Sequence, residues 1–176
     1  MKTEFKKTGQ WSEVQTLLQD LKGKVEAGVQ VAMMKSGLEM ERFSVKAIQQ
    51  QNMGWKNSEY WTDKKKALGY SEKVLVMTST YIQAITSFAQ RKKGKFTVNA
   101  GVKRGIYEDD GTEIANIAAV LEFGRKTDKT KKYPLWVPCE NHIRTWIVAT
   151  GILKNEIEKK LKGGGYSVSR QGSQIK

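Results

Sequence analysis

A long run of apolar residues at helical spacing constrains this chain more than any other feature. Val14, Leu17, Leu18, Leu21, Val25 and Ala32 recur at three- and four-residue steps and line one face of an amphipathic helix. Ser12-Glu13-Val14-Gln15 has capping-box spacing, so Ser12 is the expected N-cap. Gly23 and Gly28 each weaken such a helix by about 1 kcal/mol relative to Ala, and Ser36-Gly37 is a point for a kink or break. The pattern resumes through Leu38, Phe43, Val45, Ala47 and Ile48 as far as Asn52-Met53-Gly54. One long bent helix, or two in series, is expected over 12–52.

At 176 residues the chain has the length of one ordinary domain, with room for arms. Its 39% apolar content is low and its 28% charged content slightly high. Five Trp, six Tyr and five Phe are too many for a disordered polyelectrolyte. The net charge of +13 favours polyanionic neighbours, either nucleic acid or acidic protein surfaces. Solvated basic loops are the plainer explanation. No apolar run is long enough to span a bilayer, and the first residues lack the apolar core of a secretory signal. A cytoplasmic site of synthesis and no membrane partner are therefore expected.

Further along, Ser58–Leu68 has the pattern of a short helix closed by Gly69, and Ser71 can cap a following turn towards Leu75 and Tyr81. The aromatic-rich segment 55–70 offers either core residues or interface anchors. Phe96, Val98, Ala100 and Val102 alternate with Thr97, Asn99 and Gly101, as in a half-buried strand. Its hairpin partner would be Ile85–Gln90, which equally fits a helix end. Glu108-Asp109-Asp110-Gly111 is an expected turn. Thr112 is placed to cap a helix with Ile114, Ile117, Ala118 and Leu121 on its apolar face, and Gly124 stands at its C′ position. Pro134 and Pro138 favour extended chain. The last helix is expected from Glu140, with Ile143, Trp146, Ile147, Thr150, Leu153, Ile157 and Leu161 on helical spacing. Glu156 with Lys160 is an expected pair on it. Gly163-Gly164-Gly165 ends it.

The sequence holds no phosphate-cradling glycine motif. One Cys and one His exclude an internal disulfide and Cys- or His-based metal sites, so neither a metal nor a cofactor is expected. Cys139 and His142 lie three residues apart and could share a helix face. A Cys nucleophile is conceivable there, but buried free Cys is the common case. Asp109-Asp110 suits a turn, and Glu156 with Glu158 sits on a basic helix, so neither forms an acid–base dyad. No catalytic residue is expected. Two basic loops are candidates to face DNA. The first holds Arg91, Lys92, Lys93 and Lys95, and the second Arg125, Lys126, Lys129, Lys131 and Lys132. If both project to one side they form a rim that meets phosphates without reading sequence.

Residues 113–125 run Glu-Ile-Ala-Asn-Ile-Ala-Ala-Val-Leu-Glu-Phe-Gly-Arg. An Ala-rich helical turn ends in Glu122-Phe123-Gly124. A polar loop follows, then a Pro-containing segment and a final helix. This order resembles the neck and tail-completion proteins of tailed bacteriophages. Trp55, Thr62, Lys66 and Gly69, then Leu75, Thr78 and Ile85, are similar to the same family's middle segment. The resemblance covers roughly 55–150. Ser79 stands where the family usually has Gly. Pro134-Leu135-Trp136-Val137-Pro138 stands where it has Pro-x-Arg-Pro-Phe, so no role for that Arg carries over.

The resemblance implies a non-catalytic virion protein at the head–tail junction. Such a protein self-associates into a ring, meets connector and tail proteins, and surrounds a channel for packaged DNA. A tail terminator ring and a free basic nucleic-acid-binding protein are the alternatives. In the assembly motif Glu122, Phe123, Gly124, Pro134, Trp136 and Pro138, Phe123 is expected to pack inward and Gly124 to turn the chain. The expected fold is α+β. It has long N-terminal helices, a small antiparallel sheet centred on 85–107, and helices at 112–123 and 139–162. An N-terminal arm (1–11), a single domain (12–162) and a flexible tail (163–176) complete it.

Overall fold

The structure is a computed structural model that describes residues 11–57, 59–74, 79–124 and 133–163, apart from the side chain of Trp61. The expected arm up to residue 10, the tail beyond 163, Leu75 and the whole 125–132 loop lie outside these residues. The fold is α+β: a long N-terminal helix, a two-stranded antiparallel hairpin and C-terminal helices that pack on the first helix.

Helix α1 (Trp11–Gln50) is a single element of 40 residues. Ser12 is already helical rather than a cap, and its carbonyl accepts the Thr16 hydroxyl. None of Gly23, Gly28 or Ser36-Gly37 breaks the helix. Two of these glycines lie where another backbone or strand presses close. A Cβ on Gly28 would stand 2.7 Å from Ile157 Cα, and one on Gly37 would stand 2.7 Å from Ser87 Oγ. At Gly23 a Cβ would meet nothing.

Packing within 12–162 gathers into two compact units. One unit consists of α1 as far as Ala32 together with α6 (Ile152–Lys162). Gly28 and Ala32 are buried there, and Glu156 is buried with an ion pair to Lys159 at 3.0 Å, in place of the expected Lys160.

The second unit holds Met33–Thr150. It comprises the rest of α1, α2 (Glu59–Ala67), α3 (Thr80–Ala84), β1 (Ile85–Lys92), β2 (Lys95–Val102), α4 (Ile114–Phe123) and α5 (Trp136–Thr150). Both readings of residues 80–90 are met in succession, a short helix and then a strand. The strands pair from Ile85 with Val102 to Lys92 with Lys95. Period two sends Ser87, Val98 and Ala100 towards α1 and leaves Phe88 on the open face. Glu41 on α1 accepts the Ser87 N–H and fixes the hairpin to the helix. The core joins Ala47 and Ile48 of α1, Tyr81 and Ala84 of α3, Ile85, Ile114 and Ala118 of α4, and Leu135. Trp55 packs against it and meets Tyr133 edge-on, while Tyr60 and Tyr70 stay exposed. The aromatic segment is thus divided between core and surface.

Three boundaries differ from expectation. Glu113, not Thr112, is the N-cap of α4, because its carboxylate accepts the Gly105 N–H while Asp110 takes that of Thr112. Helix α5 starts at Trp136 and includes Pro138. Proline has no N–H to lose in a first turn, where none is used. The expected single helix over 139–162 is two, because Gly151 adopts φ +59° between α5 and α6.

These glycines generate opposite expectations. Gly23→Ala should stabilise the protein by about 1 kcal/mol, through helix propensity alone. Gly28→Ala should destabilise it by about 1–3 kcal/mol, because its methyl meets backbone that cannot rotate away. Urea denaturation of the two variants checks both signs.

Candidate functional site

The first basic loop becomes the tip of the hairpin. Lys93 and Gly94 have φ of +50° and +75°, the positive pair that a type I′ turn requires between two strands. Arg91, Lys92, Lys93 and Lys95 therefore project together, and all four are exposed. The Arg91 guanidinium lies 5.4 Å from the centre of the Phe96 ring, which holds that charge against the sheet. Residues 85–107 contain no acidic side chain. Lys103 and Arg104 extend the positive character to the other end of the strands. Arg125, Lys126, Lys129, Lys131 and Lys132 lie outside the described residues, so the structure brings only one of the two loops into view.

The Glu122-Phe123-Gly124 segment has a definite local role. The Glu122 carboxylate accepts the Leu135 N–H at 2.7 Å and the Trp136 N–H at 3.3 Å. These donors open α5, where free N–H groups and the helix dipole favour an anion. Gly124 turns the chain with φ +78°, and its N–H bonds to Val120. Tyr133 N–H then returns to the Leu121 carbonyl at 2.8 Å. Pro134 is exposed, Trp136 packs against the core, and Pro138 is half-buried. Phe123 does not pack inward as expected: it is 74% exposed. Ile114 and Ala118 define the buried face of α4, and nine residues from Ile114 is half a turn out of phase with it.

The residues considered for chemistry are engaged in packing. Cys139 is buried, accepts the Ser44 hydroxyl at 3.4 Å and points its thiol to the Met40 carbonyl. Burial pushes this thiol up, away from the thiolate that a nucleophile needs. His142 stacks on Phe43 at 4.2 Å between ring centres and meets Glu39 at 3.0 Å. Asp109 and Asp110 are exposed in the expected turn, and the Thr112 N–H holds the Asp110 carboxyl below its usual range. An open cleft of about 410 Å³ lies among Gln51, Trp55, Asn57 and Lys73. Gln51 bonds Val74, Asn57 bonds the Glu72 carbonyl and Lys73 bonds the Gln49 carbonyl, so its polar lining braces the fold. Among the described residues no cluster of His, Cys, Asp or Glu could hold a metal, and no helix is long and apolar enough to cross a membrane.

Glu122→Ala should cost about 1–3 kcal/mol, because two amides at the start of α5 lose their acceptor. Glu122→Gln keeps one oxygen and should cost less, and thermal melts rank the pair. Alkaline pH gives a second test. Burial, aided by the Glu122 charge, raises the Tyr81 pKa above its ordinary value. The unfolded chain gives up this proton from about pH 10, while the fold retains it. This contribution is complete below that pH and is lost as pH rises. Tyr81→Phe should lessen the fall in stability seen between about pH 9 and pH 11.

No protein-family model, no curated protein and no solved structure matches this chain.

Proposed function

We propose that this chain is a non-catalytic virion protein of a tailed bacteriophage, and that it forms part of the ring at the head–tail junction. The observation that carries the reading is the state of the Glu-Phe-Gly segment. Its glutamate ties the end of α4 to the start of α5, and its phenylalanine is left on the surface. A large aromatic side chain held on the surface beside a tied helix junction suits the anchor of a contact between subunits. Val137, one residue after the junction, is exposed as well.

Connector and tail proteins are the neighbours that this role requires, and packaged DNA is the polyanion that the hairpin tip would meet. A hairpin whose charged side chains are all basic contacts phosphates without reading bases. The same tip gives some weight to a free nucleic-acid-binding protein, whose affinity for DNA would fall steeply with salt. The raised thiol of Cys139 speaks against an enzyme built on it.

Phe123→Ser tests the reading. Because the side chain is exposed, folding stability should change by no more than about 0.5 kcal/mol. Particles assembled with this variant should lack the protein or lack tails. Wild-type incorporation and normal tail attachment would remove Phe123 from the interface. In particles that do assemble, replacing Arg91, Lys92, Lys93 and Lys95 with Ala should lower DNA retention.

A further inference from the structure

In the unit formed by the front of α1 and α6, seven α1 residues follow alternating steps of three and four. They are Trp11, Val14, Leu18, Leu21, Val25, Gly28 and Ala32. That is the spacing of a helix–helix seam. Helix α6 occupies part of it, with its backbone against Gly28 at Ile157. Only five residues of α6 lie on either side of Ile157, so α6 reaches about 8 Å in each direction. Leu18 is ten residues, or about 15 Å, from Gly28 along α1. Whichever way α6 runs, it ends before the seam does. The burial agrees: Leu21 and Val25 are half-buried. Trp11, Val14, Leu17 and Leu18 are 47%, 44%, 52% and 56% exposed.

We infer that the Trp11–Leu18 stretch is a docking surface for a second copy of this chain, through the same stretch of its α1. The exposed seam continues the α1–α6 interface, so its geometry calls for another helix. Beyond Gly163 the sequence has three more glycines, Gly164, Gly165 and Gly172, which are poor helix formers, against three apolar residues, Tyr166, Val168 and Ile175. Helix α1 itself carries the matching pattern. Two helical turns bury less than the roughly 800 Å² per partner of a stable pair. The contact is therefore weak alone and acts together with others in an assembly. It concerns the chain by itself and does not depend on the virion reading.

Single cysteines in the full chain test it by disulfide trapping. Cys139 is buried and stays silent. Chains with Val14→Cys and Leu18→Cys are oxidised separately and mixed one to one. Thr16→Cys, on the opposite face, reports random collision. Parallel pairing gives homodimers of the seam variants, and antiparallel pairing gives the mixed dimer. Either product should form about tenfold faster than the Thr16→Cys dimer, a difference of about 1.4 kcal/mol. Equal rates for all three would overturn the inference. So would an absence of dimers, whether thiol labelling is fast, which means a bare seam, or slow, which means one covered by the chain itself.

Discussion

Most of the stability of a forty-residue helix in a folded protein comes from the packing of its apolar face rather than from its own hydrogen bonds. In α1 that packing depends on close approach. Gly28 lets the α6 backbone touch it, and Gly37 lets the hairpin do the same through Ser87 and Val98. A methyl at Gly28 would hold α6 away. Each unit holds part of this helix, and Gly28 and Gly37, poor helix formers, are the glycines that its packing requires.

A second tie sets the geometry of the candidate site. Glu122 accepts two amides at the start of α5, across a loop that begins after Gly124. The carboxylate meets the positive end of a helix whose first N–H groups have no internal partner. Through this tie α4 and α5 hold a common position against the core, and Phe123 is placed on the surface by the phase of α4. The exposed phenylalanine is thus a product of the fold. It is also the feature that an assembly could use.

Much of the fold was legible in the sequence because periodicity reports burial directly. The α1 stripe, the alternation of Phe96 to Val102 and the α4 face all come from patterns that solvent imposes. What escaped depends on contacts that lie far apart in sequence. Gly28 and Gly37 looked like weak points because Ile157 and Ser87 are invisible from their neighbourhoods. Gly151 was absorbed into a helical spacing that continues on both sides of it. Pro138 was read as a breaker because its place in a first turn depends on where α5 starts, and Glu122 sets that start. Phe123 was assigned inward from its motif although its phase pointed outward. The hairpin tip was legible as a basic turn, since Lys93-Gly94 between strands leaves few other conformations.

The functional reading joins an ordered set of sequence segments to a surface that the folded monomer leaves uncovered. Its central claim is membership of the virion in small number. The most direct measurement is quantitative mass spectrometry of purified phage particles that encode this chain, counted against the capsid protein. The account predicts a low and fixed copy number, as a single ring would give. Absence from mature particles, or a copy number comparable with that of the capsid protein, would contradict it.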